Sequence, residues 1–309
     1  MSNKISLVIV IIILTFNISI KAYFKDLDVG VRPMGMGGAY TAIADDSNAP
    51  IWNSAGISQI KRQELNLAYS ALYVGLSPSL YNLESDKLGQ HFISYILPLG
   101  SDSFGLSWNS FQSNLYDENI VCLSYGRRLI KTLYTGVNLK RMSWDIIGNQ
   151  YTKIDDDIPN EGASKAGYTL DLGFLLKPDG NISIGFSAEN IIPADIGLIM
   201  KDRISPNFRG GIAYKIDKLS SLDLKLITLL DTSYRGKDYS MDVRIGAEGW
   251  FINETTGIRF GVNSTSLTSG LSYRILFSRL ELQLDYAFVY PFFILDNFGS
   301  HRIAVILRF

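Results

Sequence analysis

The feature that most restricts the fold is a two-residue alternation that recurs from Glu64 to the end of the chain. "ELNLAYSALY" sets Leu65, Leu67, Tyr69, Ala71 and Tyr73 against Glu64, Asn66, Ala68 and Ser70. "YTLDLGFLLK" sets Tyr168, Leu170, Leu172 and Phe174 against Thr169, Asp171 and Gly173. "MDVRIGAEGWF", "LELQLDYAFVY" and the terminal "HRIAVILRF" repeat the pattern. Successive side chains take opposite faces in an extended strand, so each segment reads as a strand with one greasy and one polar side. About fourteen segments qualify: 64–73, 89–97, 102–112, 119–126, 132–144, 166–177, 181–190, 207–215, 222–231, 239–251, 256–264, 266–276, 279–290 and 300–309. Most approach the ~9–11 residues that a tilted strand needs to cross a bilayer.

Full charges stand at mid-strand on the polar faces: Asp171, Glu189, Arg244, Glu248, Arg259, Glu281 and Asp285. The apolar faces often end in aromatics, as a membrane-interface girdle does. A soluble sandwich or β-helix would need a packing partner for every Tyr/Leu/Phe face. A barrel needs none, because those faces meet lipid and the charges line the interior. Even-numbered connections such as "PDG" are short, whereas most odd ones, near 74–88, 145–165, 191–206 and 291–299, are long; the one near Thr265 is an exception. The expectation for 63–309 is an all-β antiparallel transmembrane barrel of about 14 strands, with both termini in the periplasm of a bacterial outer membrane.

Residues 1–22 pair Lys4 with an apolar run from Ile5 to Ile20, too short to span as a helix, and read as a secretory signal peptide. The chain has one cysteine, Cys122, which excludes internal disulfides and thiolate metal clusters. A net charge of −1 offers nothing to nucleic acid. No metal or cofactor is expected.

Residues 23–62 do not alternate. Their "GMGGAYTAIADD" lacks the preceding strand and following Lys-Ser/Thr of a phosphate loop, and the D-x-D-x-D-G spacing of a Ca²⁺ loop. Small residues let backbone approach backbone, so this reads as a segment folded inside the barrel, with "GGAYTAIA" as a short helix against the wall. Asp45, Asp46 and Asn53 are expected to satisfy backbone donors there.

"DVGVRPMGMGGAYTAIADDSNAPIWNSAGIS" resembles the start of PorV/PorQ-type outer-membrane proteins, relatives of the FadL long-chain fatty-acid transporter superfamily. The matching residues are Gly30, Arg32, Gly35, Met36, Gly37, Gly38 and Ala39, then Ala44, Asp45 and Asp46, then Trp52, Asn53, Ala55 and Gly56; Ser54 stands where the family has Pro. The resemblance implies a fourteen-stranded barrel with an N-terminal hatch. The terminal Phe309 resembles the signal read by the barrel-assembly machinery.

Function divides three ways. A FadL-like barrel binds or passes hydrophobic, fatty-acid-like molecules, and inward Arg244, Arg259 and Arg274 are candidate anchors for a carboxylate. The alternative is a PorV-like, non-enzymatic docking barrel of a type IX-like secretion system, receiving a secreted-protein partner at the acidic loop Asp145–Lys165 with "KIDDDIPNEG". An enzyme is not expected: only His91 and His301 are present for acid–base work, and His301 reads as interfacial polarity.

Overall fold

The computed structural model describes residues 28–76, 88–148, 162–198, 200–216, 225–235, 240–294 and 297–309. The expected signal peptide and most of the acidic "KIDDDIPNEG" connection lie outside these residues. No described helix is long and apolar enough to cross a membrane.

Fourteen strands form one closed antiparallel barrel in which each pairs with its sequence neighbours. They are β1 (Glu64–Ala71), β2 (Gly89–Leu99), β3 (Asp102–Gln112), β4 (Tyr116–Ile130), β5 (Leu133–Ile147), β6 (Gly162–Leu176) and β7 (Ile182–Glu189). The second half is β8 (Asn207–Ile216), β9 (Lys225–Arg235), β10 (Ser240–Phe251), β11 (Thr256–Val262), β12 (Ser266–Leu276), β13 (Glu281–Pro291) and β14 (Ser300–Arg308). The seam closes where β1 meets β14, from Glu64 opposite Arg308 to Ala71 opposite His301. The Phe309 amide donates to the Gln63 carbonyl (3.1 Å), so the first and last strands share one rim, here the near rim. Closure leaves no edge strand to attract other chains.

The alternation sorts the side chains as a barrel requires. Leu67, Leu106, Leu123, Ile212, Phe260 and Ile303 are exposed on the outside. Asp171, Arg244, Glu248, Arg259 and Asp285 are buried inside. An exposed apolar exterior around a charged interior suits a hydrocarbon solvent and would be costly in water.

Three strands outrun their sequence-based spans. Segments 119–126, 132–144 and 166–177 are fifteen-residue strands at 116–130, 133–147 and 162–176. Along β5 the polarity of the alternation reverses. In β5, Gly136 and Asn138 point inward with Leu139 outside; farther on, Met142 and Trp144 are inward and buried while Arg141 and Asp145 are outside and exposed. Greasy outside and polar inside marks a lipid-facing stretch; the reverse marks a hairpin that has left the lipid and stands in water. Connection length also separates less cleanly than expected, since β3–β4 and β11–β12 are joined by only 113–115 and 263–265.

Candidate functional site

Residues 28–60 occupy the barrel interior. They form helix α1 (Val31–Gly35), helix α2 (Ala49–Trp52) and a 3₁₀ helix (Ser54–Gln59). Gly37 and Gly38 carry φ +66° and +77°, a left-handed backbone that ends α1. Gly35 meets the Cα of Gly270 on the wall, Gly37 lies on Val262, and Gly38 lies under Trp52 and Arg244. The "GMGG" run is therefore a place where plug backbone touches barrel backbone. The expected helix over "GGAYTAIA" is a turn instead, closed by the Ile43 and Ala44 amides on the Tyr40 carbonyl. The Tyr40 and Thr41 amides cannot serve a helix because both donate to Asp231 of β9 (3.0 and 2.7 Å).

The wall is thinned to receive this segment. Gly126 lies against Ile57, Gly136 and Gly173 against Ser54 and Ala55, Gly185 against Thr41, and Gly246 and Gly261 against Met36. Several are direct cross-strand partners: Gly126 with Gly136, Gly136 with Gly173, Gly185 with Gly211, Gly246 with Gly261. A belt of inward glycines thus runs around β4–β8 and β10–β12. Above and below it the plug buries Met34, Met36, Tyr40, Ile43 and Ile57 with Ile96, Ala213, Leu229 and Val289 of the wall. Each large apolar side chain contributes roughly 1.5–3 kcal/mol when fully buried.

Arg32 fixes the register of plug to wall. Its Nε and Nη2 donate to the two oxygens of Glu248 (2.7 Å each), and Nη1 reaches Asp45 (2.6 Å), Asp46 (3.0 Å) and the Tyr40 hydroxyl (3.2 Å). Burial alone would lower its pKa; Asp45 and Glu248 more than offset that and hold it well above the ordinary value. Asp46 is buried, yet Arg32, Tyr40 and Asn48 hold its carboxyl below the usual range. Asn53 donates to the carbonyls of Thr41 (2.9 Å) and Phe174 (3.0 Å) and accepts from the Ala55 amide (3.2 Å). Asp46 likewise accepts from the Asn48 amide (2.8 Å), whereas Asp45 pairs with Arg32. Trp52 donates to the Val29 carbonyl (2.9 Å) and lies between Arg209 (4.6 Å from its ring centroid) and Arg244 (5.7 Å). Gly30 (φ +89°) turns against Asn48, and Gly56 packs on the Ala44 carbonyl, each in space a Cβ would need.

The three arginines singled out from sequence stand at separate places. Arg259 is fully buried, donating to Glu248 (2.5 Å) and Ser272 (2.6 Å). Arg274 lies over Trp250 (3.7 Å) and donates to Gln283 (2.9 Å) near the near rim. Arg244 bonds Asp242 (2.8 Å), faces Asp28 (3.5 Å), and leaves its buried Nη1 without a partner. They do not converge on one site. His91 and His301 lie on the outer face among aromatics, His301 bonded to the Tyr286 hydroxyl (2.8 Å). Among the described residues no group of three His, Cys, Asp or Glu is placed to hold a metal. Phe309 is exposed at the near rim beside Gln63.

A second feature lies at the far rim. β6 pairs with β5 along its whole length but with β7 only from Leu172 to Leu176. At Asn190 (φ +55°) the chain leaves the ladder, its amide bonded to Asp171 (2.9 Å). The connection to β8 then folds back inward. Its Asp195 and Arg203 form a bridge, and Ala194, Ile196 and Ile204 pack on Met142, Trp144, Tyr116, Ile120 and Ala163. Trp144 donates to the Ile196 carbonyl (2.8 Å), and Tyr116 stacks on Trp144 (6.3 Å). The far mouth carries this apolar cluster, with Glu118 and Lys165 as the cross-strand partners of Trp144, whereas the middle of the barrel is ionic. Sequence reading did not single out this cluster; the signal for it was the reversed alternation at Met142 and Trp144.

No family model matches the chain, and no curated protein does. Solved structures do. The chain superposes on the Ralstonia pickettii toluene transporter TbuX with TM-score 0.63 at 12% identity, covering 93% of this chain and 99% of that one. The Pseudomonas putida toluene transporter TodX gives 0.57 at 10% (91% and 97%), and a Pseudomonas aeruginosa FadL homologue gives 0.54 at 11% (91% and 97%). At such identities the likeness is one of fold, and the fold is that of the FadL-like barrels.

Proposed function

We propose that this chain is an outer-membrane barrel that binds apolar small molecules and passes them inward through a plugged interior, its termini periplasmic and residues 28–62 its hatch. The observation that carries this reading is the far mouth. A porin for hydrophilic solutes lines its channel with polar groups. Here Trp144, Met142, Ile120 and Tyr116 face inward, with Ile196 and Ile204 folded over them. Apolar surface with a few polar anchors is what a hydrophobic ligand selects. The fold shared with transporters of toluene supports the same class of cargo, with neutral aromatics and fatty-acid-like chains both of the right chemistry. Arg244, with a buried unpartnered Nη1 below this mouth, is the anchor best placed for a carboxylate.

The test is ligand binding to the purified barrel by native mass spectrometry and intrinsic tryptophan fluorescence, with toluene and dodecanoate as probes. Trp144→Ala is expected to weaken toluene by about tenfold, in line with the ~0.5–1.5 kcal/mol of an aromatic contact plus its buried area. Arg244→Gln is expected to weaken dodecanoate and leave toluene unchanged. Absence of any bound apolar probe would overturn the assignment. The docking-barrel reading rests on the N-terminal motif and on the acidic Asp145–Lys165 connection, most of which lies outside the described residues.

A further inference from the structure

The near rim carries two kinds of cation. Around β1 and β12–β14 three arginines are matched: Arg308 bonds Glu64 (2.5 Å) and Glu281 (2.6 Å), Arg62 bonds Glu281, and Arg274 faces Glu281 (3.6 Å); exposed Arg279 stands alone in the β12–β13 turn among the described residues. Around β4–β6 Arg127 pairs with Asp102 (3.4 Å) on the outer face, but the cations at the mouth are not matched. Among the described residues Lys61, Arg128, Lys131 and Lys177 make no ion pair. Lys61, Arg128 and Lys131 are exposed and Lys177 is half-buried.

Register places Arg128, Lys131 and Lys177 together, and Lys61 follows the 3₁₀ helix, which lies on Gly126, Gly136 and Gly173 of the same three strands. Arg128 is opposite Tyr134 on the face that carries Gly126 and Gly136, so both line the mouth. Lys177 follows β6, its amide on the Thr132 carbonyl (2.8 Å) and its amine over the Tyr134 ring (6.0 Å). Lys131 forms the β4–β5 turn, and Lys61 ends the plug just before β1. The nearby Asp179 is occupied by the amides of Asn181 (2.8 Å) and Ile182 (2.7 Å). Asp45, the plug carboxylate on this side, is bonded to Arg32. Burial lowers the Lys177 pKa; Asp45 opposes this, but Lys215 and Lys61 lower it further, so an added anion there would be stabilising.

We propose that this cationic crescent is a docking surface for a soluble acidic protein that covers the near mouth. Arg128, Tyr134 and Lys177 are on the inner face, where lipid headgroups do not reach. Strands are spaced by about 4.8 Å, so β4 to β6 alone spans roughly 10 Å, more than one carboxylate can bridge. A run of carboxylates on a protein surface fits that length, and opposite charge speeds and orients such encounters. The inference rests on the transport reading for its purpose: apolar cargo leaving the mouth meets water and needs a carrier.

The test uses the full barrel in phosphatidylcholine nanodiscs and fluorescent poly-L-glutamate, read by anisotropy. Binding is expected at low salt and should weaken steeply as salt rises. Reversing all four positions (K61E, R128E, K131E, K177E) is expected to cost at least about tenfold, and R279E, an exposed cation elsewhere on this rim, little. Heat-modifiable migration checks folding, and the four-Gln variant repeats the test should the reversal not assemble. No poly-glutamate binding, equal loss in R279E, or an effect confined to phosphatidylglycerol bilayers or to dodecanoate would overturn the proposal. A barrel that ignores toluene yet holds poly-glutamate through these residues refutes the cargo, not the docking surface.

Discussion

Arg32 carries three carboxylates and a phenol on one guanidinium. Removing one partner of a buried ion pair costs about 3–5 kcal/mol, because the other charge is left in a poor solvent. Arg32→Met is expected to loosen the plug by this much without unfolding the barrel, whose ladder it does not touch. Hydrogen exchange of residues 36–59 in the solubilised protein measures it, with rates rising roughly a hundredfold or more. Adding Glu248→Gln should not restore protection, since Glu248 also neutralises buried Arg259. Asp46 sets the pH behaviour. Its folded pKa is below the unfolded value near ~3.9, so its stabilisation is full above that value and is lost as pH falls through the folded one. Plug protection should be level from pH 7 to about pH 5 and fail only in stronger acid. Loss of protection near pH 6 would place control in another group.

At the scale of elements, the glycine belt and the plug are one device. A Cβ on Gly136 would collide with the backbone of Ser54 and Ala55, and on Gly173 with Asn53 and Ser54. Gly210 on β8 meets nothing within 4 Å. Gly136→Val is therefore expected to give an assembled, heat-modifiable barrel whose 28–60 segment is cut rapidly by protease. Gly210→Val should resist like the parent; equal resistance in both would mean that the plug tolerates displacement. The strands were legible because alternation is local and each strand answers the same demand, greasy out and polar in. The far-rim end of β5 was not, because the demand reverses where a strand leaves lipid and a single polarity rule stops there. The small residues of the plug announced close approach, yet not its partners: Arg32 meets Glu248 216 positions along the chain, a pairing no local period encodes. The turn at Ala39–Ala44 was misjudged for the same reason, since Asp231, which takes its amides, lies on β9.

For the whole molecule, the two closures differ in kind. The plug is held by ion pairs and backbone contact to most strands, while the far-rim connection 190–206 is held by an apolar cluster and a few hydrogen bonds. Apolar contacts yield to an apolar ligand that replaces them; a buried ionic network does not, because each opened pair strands a charge. On the proposed transport reading, ligand arrival should therefore displace the connection first and leave the plug seated, so that small polar solutes and ions stay excluded while apolar cargo moves. Deleting residues 35–57 tests this division. It removes Gly35, Met36, Trp52 and Asn53 together with most wall contacts, but leaves every strand and the Trp144 cluster intact. In planar bilayers the deleted barrel is expected to show stepwise ion conductance well above the parent's, and in liposomes to leak a small sugar, with toluene binding at the far mouth retained. Conductance equal to the parent's would mean that the segment does not seal the barrel, and loss of toluene binding would mean that the two closures form one site.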